Sequence, residues 1–434
     1  MGPILVLYHA AGAPLRSTIA DHLDSIRRYS GTPCVYVNLA VRDVPRWVSR
    51  LSVGLVVFHT TALATRWYPQ AFERIARRLA AIEDLDCPRV AAPQDEFLNT
   101  DLLVDFLQRF RVDHVFTCAP PDEWETIYGP LISRGVGMTR VLTGYLEPRT
   151  VRRIDQLAGG ERNIDIGYRS WRPEAWLGRH GMLKGLIAER FAEEGRRRGL
   201  RVDISMDPAD TLLGDAWYRF MLRCRFTIGV EGGASIHDHD GRIRECVSAY
   251  TAEHPQAAFE EIERSCFPGL DGTFNLHAIT PRHLEACATR TPQVLIEGTY
   301  NGILEPWKHY VPLRQDFSNI AEAFEEITRG VRGAQIAEQA YQDVVASGRY
   351  TYASFVAALM ASVPEDSRRK GAGSSIPVRV ILAWGSVADR LSWAPVWIRQ
   401  GLRRTAIRVL RRTGLLEPAR RARRRRRLRS QRQA

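Results

Sequence analysis

Three stretches of this 434-residue sequence hold residue types whose spacing could do chemistry. In FTIGVEGGAS, Glu231, Gly232 and Gly233 follow an apolar run. Missing side chains there let backbone N–H groups come close to a ligand. In PRHLEACATRTPQVLIEG, Glu285 sits in a short helical stretch ahead of a second apolar run. In IGYRSWRPEAWLGRHGMLKG, Arg169, Arg172 and Lys184 follow a third. A group leaving as a diphosphate needs cations or helix N-termini on its oxygens, and carboxylates suit sugar and ribose hydroxyls. The bland reading of Arg169 and Lys184 is a solvated basic helix end.

Other residues are weaker candidates. Glu297 ends the run QVLIEG and lies eight positions before Glu305, with EGTYNGILEPWKHYVPLRQDFSN continuing to residue 319. Tyr300, Trp307, His309 and Tyr310 in that stretch could stack on a base or a sugar, or fill the core around an edge strand. His59 ends the run GLVVFHTT and could face a ligand from the first half of the chain, or cap and pack. His9 with AAGAP could form a loop on the same side. HDHDG at 237–241 alternates two histidines with aspartates, but no second cluster accompanies it, so it reads as a surface turn and no metal is expected. GxSxG, Walker, HExxH and GxGxxG patterns do not occur.

The elements that must hold these residues alternate. Short β-branched and aromatic runs (PILVLYH, CVYVNL, GLVVFHT, RVAAP, HVFTC, TRVLTG) are separated by stretches of helical spacing, such as Phe72, Ile75, Ala76, Leu79 and Ile82 within 70–84. That pattern implies a parallel sheet with helical crossovers over residues 1–150. EPRTVRRIDQLAGGER at 147–162 reads as a linker. A second series begins at 164 and runs to 362: strands NIDIGYR, RVDIS, FTIGV, QVLIEG and HYVPL, with helices over 180–198, 215–224, 281–289, 318–329 and 334–361. Residues 363–376 read as a flexible linker, and 377–434 as a basic amphipathic helix with an arginine-rich tail. Ligands of such sheets bind outside the carboxyl ends of the strands, where Arg169, Glu231 and Glu297 fall.

GVEGGAS and HLEACATRTPQVL resemble two pieces of the retaining GT-B glycosyltransferases of the group 1 type. In those enzymes a strand ends in an acidic-glycine loop, and a helix carrying a second Glu leads through a small-residue turn into the next strand. The stretch LEPWKHYVPLRQDFS is similar to a run in the donor domain of bacterial surface-polysaccharide glycosyltransferases and protein O-glucosyltransferase relatives. The resemblance covers residues 164–330 well and the first 150 as architecture. It implies an α/β GT-B fold, with two Rossmann-like domains facing a cleft, an N-terminal acceptor domain and a C-terminal donor domain. It also implies transfer of a sugar from a nucleotide-diphosphate sugar, with retention, to a glycan or lipid-linked acceptor. Glu231 would then lie by the donor sugar, Glu285 at the ribose, Arg169 and Lys184 at the diphosphate, and His59 would face the sugar. Gly232, Gly233, Glu297, Tyr300 and His309 would line the donor site. The literal spacing of Glu297 and Glu305 mimics the family's paired glutamates, but both follow the strand that the second Glu should precede. Choosing Glu231 and Glu285 makes 236–281 an insertion at the mouth of the site. The nucleotide sugar is a co-substrate, and no other cofactor is implied.

Composition sets the remaining expectations. The formal charge of +12 belongs to the C-terminus, because residues 396–434 hold 15 arginines against the single acid Glu417. The rest of the chain has 46 basic and 48 acidic residues. The tail is therefore read as a partner for an anionic membrane surface, and nucleic acid is not the expected partner. The rival class is an RNA- or polyanion-binding protein whose α/β body is an inert scaffold. Seven scattered cysteines without a CxxC pair read as thiols. With no signal-like start and no long apolar run, the expected address is cytoplasmic, on the inner membrane face if the tail binds lipid.

Overall fold

The computed structural model describes residues 1–12, 15–329 and 332–366. The expected linker beyond 366 and the basic tail lie outside the described residues. The first domain is a six-stranded parallel sheet: Ile4–Tyr8 (β1), Cys34–Asn38 (β2), Leu55–Phe58 (β3), Arg89–Ala91 (β4), His114–Thr117 (β5) and Gly137–Arg140 (β6). Its order is β2-β1-β3-β4-β5-β6. Every second residue goes to the same face. Leu5, Leu7, Val56 and Phe58 enter one core, while Ile4, Val6, Tyr8, Leu55 and Val57 enter the other. Burial on both faces explains why these strands read as unbroken apolar runs.

The second domain repeats the plan. Ile164–Arg169 (β7), Val202–Ser205 (β8) and Cys224–Gly229 (β9) are followed by a two-stranded antiparallel hairpin, Gly232–Ala234 (β10) and Leu276–Ala278 (β11). Gln293–Ile296 (β12) and Val311–Leu313 (β13) then complete a five-stranded parallel sheet in the order β13-β12-β9-β7-β8. In both sheets the first strand lies between the second and the third, so the crossover direction reverses there. Those switch points are β1/β3 and β7/β9, and the crevice outside their carboxyl ends is where ligands of such sheets sit. The two expected Rossmann-like domains are thus present.

Several boundaries differ from the sequence reading. Within 147–162, residues Pro148–Leu157 form a helix, with Pro148 in its first turn and Glu147 as N-cap accepting from the Arg149 N–H. Glu147 itself is buried, paired with Arg28 at 2.6 Å and accepting from the Tyr29 hydroxyl at 2.9 Å. The predicted helix over 70–84 stops at Arg77 and continues as a short 3-10 turn, Ala80–Ile82. The predicted helix over 334–361 is broken: Gly333–Ala340 runs into a π turn, Tyr341–Ala346, and a separate helix spans Tyr352–Ala361. That last helix belongs to the first domain. Phe355, Val356 and Leu359 pack with Leu23 and Ile26, and the Tyr352 hydroxyl donates to the Thr18 carbonyl at 2.8 Å. The chain passes between domains at Leu146 and again at Thr351, where Leu146 N–H donates to Tyr350 O and Tyr352 N–H to Leu146 O.

The insertion 236–281 is structured by the first domain. Its helices Arg242–Glu253 and Phe259–Cys266 are joined by a Cys246–Cys266 disulfide, which corrects the reading of these two cysteines as thiols. Val247, Ile262, Phe267 and Phe274 enter the same core as Phe72, Phe97 and Leu103. The HDHDG turn lies on the Thr100–Arg109 helix. His237 Nε2 meets Thr100 Oγ1 at 2.6 Å, His239 Nδ1 meets Asp101 at 2.7 Å, and Asp238 accepts from the N–H groups of Ile243 and Arg244. Among the described residues no cluster could hold a metal ion.

Candidate functional site

The carboxyl end of β7 leads through residues 170–177 into the helix Gly178–Arg197, which carries Lys184. Lys184 is buried, with its ammonium 5.9 Å from the centre of the half-exposed Trp171 ring. Burial first, and then the neighbouring Arg282, lower its pKa to about 8, while Asp95 of the first domain opposes the shift. Arg282 opens the helix Pro281–Ala288 and donates to the Arg169 carbonyl at 2.8 Å. Two cations and the start of that helix therefore gather at the β7/β9 switch point, the arrangement that an anionic ligand needs. The N-terminus of the Lys184 helix is already occupied. Asp271 of the insertion accepts from Arg179 N–H at 3.0 Å and from Ser235 Oγ at 2.7 Å.

Glu231 follows β9 and is buried under the next loop. Its carboxylate accepts from Thr299 N–H at 3.1 Å, Thr299 Oγ1 at 3.0 Å and Tyr300 N–H at 2.6 Å. Burial raises its pKa, opposed by those hydrogen bonds and by Arg140 from the end of β6. A side chain at Gly298 would stand 2.3 Å from the Glu231 carboxylate, so the approach is made possible by glycine. Tyr300 and Asn301 follow with positive φ, of 43° and 56°. Glu231 thus braces the loop after β12. Gly232 and Gly233 lie in the hairpin. Gly233 has φ +119° and no room for a Cβ, which would meet the Leu276 carbonyl at 1.7 Å.

Beside them His180, one helical turn before Lys184, stacks on His277 of the hairpin at 3.5 Å between ring centres. Burial holds both rings neutral, with pKa values of about 3 and about 4. The His180 N–H donates to Ser235 Oγ at 3.2 Å, just beyond the hairpin glycines. Lys184, His180, Glu231, Gly232 and Gly233 are therefore brought together.

Glu285 is separate. Its carboxylate accepts from Trp217 Nε1 at 2.9 Å and is pushed up to about 7, mainly by burial. It opens on an interdomain recess lined by Thr18 and Asp21 of the first domain, Tyr145, Glu147 and Tyr218. Arg169 is committed elsewhere, donating to Asp203 Oδ1 at 2.7 Å and to the Asp203 and Tyr168 carbonyls, with its guanidinium over the Phe220 ring. Glu297 is exposed at the end of β12.

Three expected ligand contacts are core residues. Tyr300 is fully buried, and its hydroxyl donates to the Ile296 carbonyl at 2.5 Å. His309 uses both ring nitrogens, one on Asp343 at 3.0 Å and one accepting from Glu305 N–H at 3.0 Å. His59 is fully buried, with Nε2 on His22 Nδ1 at 2.9 Å and Nδ1 on Thr61. No ring atom of His59 is left to face a sugar. Burial next to His22 keeps it neutral, with its pKa lowered well below 6.5.

Sequence reasoning missed Arg140, Arg282, His180, His277 and Asp95. The first four give no local pattern. Asp95 follows β4 at a carboxyl strand end, which was a usable signal.

Neither a protein-family model nor a curated protein matches the chain. Among solved structures the chain is similar to Anabaena HepE in complex with UDP-glucose, at 13% identity over 84% of this chain and 100% of that one, with a TM-score of 0.47. It is similar to sucrose-phosphate synthase from Thermosynechococcus elongatus at 9% identity, over 85% and 99% of the two chains, with a TM-score of 0.43. AviGT4, a glycosyltransferase involved in avilamycin A biosynthesis, aligns at 11% identity over 86% and 99%, with a TM-score of 0.39.

Proposed function

We propose that this chain is a glycosyltransferase that moves a sugar from a nucleotide-diphosphate sugar to a glycan or lipid-linked acceptor, with retention, in the synthesis of a surface polysaccharide. One observation carries the reading. A buried lysine, Lys184, is held beside Arg282 and the start of the Pro281–Ala288 helix at the switch point of the second sheet, and the first domain faces it. A buried cation with another cation as neighbour costs stability unless an anion uses it. In this reading Lys184 and Arg282 take the diphosphate, Glu285 in its recess takes ribose hydroxyls, and the Glu231–Gly233 loop lies by the sugar. Positive charge on the leaving oxygens lowers the barrier, because negative charge grows there as the anomeric bond breaks. Arg169 supports the site through its carbonyl, which receives Arg282.

The test is a melting-temperature screen with UDP, GDP, ADP and dTDP and with UDP-glucose, GDP-mannose, ADP-glucose and dTDP-glucose. A ligand bound by the folded state alone raises the melting temperature. A shift with one nucleotide, followed by product of unchanged anomeric configuration, is the expected result. No shift with any of them would sink the reading in favour of a polyanion-binding protein. The tail would hold such an enzyme on the membrane that carries a lipid-linked acceptor. With about 1 kcal/mol for each arginine near an anionic leaflet, the full chain should float with phosphatidylserine liposomes and a chain ending at residue 366 should not. Equal flotation would remove the membrane from the proposal.

A further inference from the structure

The insertion grips both domains, and it uses a different helix for each. Its first helix, Arg242–Glu253, is fixed to the first domain. Arg244 donates to the Trp67 carbonyl at 2.9 Å, and Val247 enters the core of Phe72 and Phe97. Asp238, whose carboxylate accepts from the N–H groups of Ile243 and Arg244 in the first turn, is tied to Phe97 and Asn99 by backbone bonds of 2.9 and 2.8 Å. The second helix, Phe259–Cys266, holds the other domain. Glu263 pairs with Arg179 at 2.9 Å and Glu260 with the same guanidinium at 3.6 Å, which lies 4.7 Å from the centre of the Phe259 ring. Just beyond this helix, Asp271 pairs with Arg179 at 2.9 Å and accepts from its N–H at 3.0 Å. Arg179 stands in the first turn of the helix that carries Lys184.

The Cys246–Cys266 bond joins one grip to the other. Both cysteines are half-buried, so a small reductant can reach the bond. The chain's other thiols leave it alone. Cys118, Cys224 and Cys287 are buried, and burial pushes Cys34 and Cys87 up to about 11. They stay protonated near neutrality, and only a thiolate attacks a disulfide.

We propose that the Cys246–Cys266 bond is a redox switch, which sets how firmly the insertion holds the Lys184 helix against the first domain and, through that helix, the affinity for nucleotide. A dithiol opens it in two steps. One thiolate of the reductant attacks one cysteine sulfur, forms a mixed disulfide and releases the other cysteine as thiolate. The second thiolate then displaces the remaining cysteine, so the protein gains two electrons and two protons and the reductant leaves as a cyclic disulfide. With the bond open, Glu260, Glu263 and Asp271 hold Arg179 from a support fixed to the first helix by packing alone. A site set in advance of its ligand binds more tightly than one the ligand must order. The oxidised protein is therefore the tight-binding form. The affinity half of the proposal rests on the glycosyltransferase reading above, and the mechanical half does not.

The experiment compares the full-length protein oxidised and reduced with dithiothreitol, beside Cys246→Ser and Cys266→Ser. After denaturation, alkylation should label five cysteines in the oxidised protein and all seven in the reduced one. Reduction of the folded protein should lower its melting temperature by about 2 °C or more. Amide exchange in residues 178–184 should quicken, while exchange in β12 stays as it was. The nucleotide found in the screen should bind about fivefold or more weakly. Both serine variants should match the reduced protein and ignore dithiothreitol. A bond that dithiothreitol leaves intact in the folded protein overturns the proposal, because it is then only a staple. Equal exchange in residues 178–184 in the two states also overturns it, and so does a reduced protein that binds as tightly. A wild type that binds no nucleotide in either state refutes the glycosyltransferase reading, and the exchange comparison still decides the switch.

Discussion

Lys184 shows what a buried cation costs the fold. Its pKa is lowered from 10.5 to about 8, so the folded state holds this proton less tightly than the unfolded chain. The gap corresponds to about 3 kcal/mol lost at neutral pH, and stability should rise as the pH climbs from about 8 towards 10.5. Lys184→Met removes the buried charge and keeps the side chain's length. It should raise stability at pH 7 by about 1–3 kcal/mol and weaken nucleoside diphosphate binding about tenfold or more. Denaturant melts and calorimetric titration with the nucleotide found in the screen would show both. A variant that is less stable and still binds would remove Lys184 from the site. Glu285 has the opposite sign. Its folded pKa of about 7 lies above the ordinary 4.5, so the folded state holds the extra proton and stability falls as the pH rises from about 4.5 to 7. In Glu285→Gln this contribution disappears, and the difference in unfolding free energy between pH 5 and pH 8 should shrink by about 3 kcal/mol. An unchanged difference would mean that Glu285 ionises freely.

Elements place these residues, and their legibility was uneven for physical reasons. Strands buried on both faces, such as β1 and β3, carry long apolar runs and were legible. The helix Pro148–Leu157 carries a Glu147 cap and Pro148 in its first turn, both readable signals. It reads as a linker because Ile154 alone among its residues is buried. The loops after β7 and β9 were legible as strand ends, and the buried Lys184 lies on the helix that follows the first of them. His59 and His309 stand at equally suggestive strand ends or motif positions, yet sequence cannot tell whether a histidine finds its partners inside the core, as these do with His22 and Asp343. The union of Cys246 with Cys266 was equally hidden, since the two cysteines stand 20 residues apart on separate helices and meet only where those helices pack together. The loop 93–99 shows how an element depends on one buried group. Arg66→Met leaves the carbonyls of Leu63, Gln94, Asp95 and Leu98 without their donor, at a cost of about 2–4 kcal/mol. Amide exchange in residues 94–99 should quicken more than in β4. Uniform exchange across both would mean that Arg66 does not hold the loop.

At the scale of the molecule, the insertion makes the two domains one body. Trp176, from the loop after β7, lies 5.7 Å from the Trp67 ring and 6.0 Å from the Phe97 ring, both of the first domain. Arg244 of the insertion reaches over Trp67, Tyr68 and Trp176, and donates to the Trp67 carbonyl at 2.9 Å. Asp238 N–H donates to Phe97 O, and Asn99 N–H to Asp238 O, a strand-like link across the domain boundary. Interfaces between domains of one chain are ordinarily small and polar and allow relative motion. Here a continuous apolar core crosses the boundary, so unfolding one domain exposes the core of the other. The wild type should therefore melt in a single calorimetric transition. Trp176→Ala removes the central ring, which is 2% exposed, and should cost about 3–5 kcal/mol. Its main effect should be qualitative. Without that ring the insertion loses its grip, and the trace should split into two transitions, one for each sheet. If the variant melts lower but still in one peak, the coupling lies in the crossings at Leu146 and Thr351 and not in the insertion.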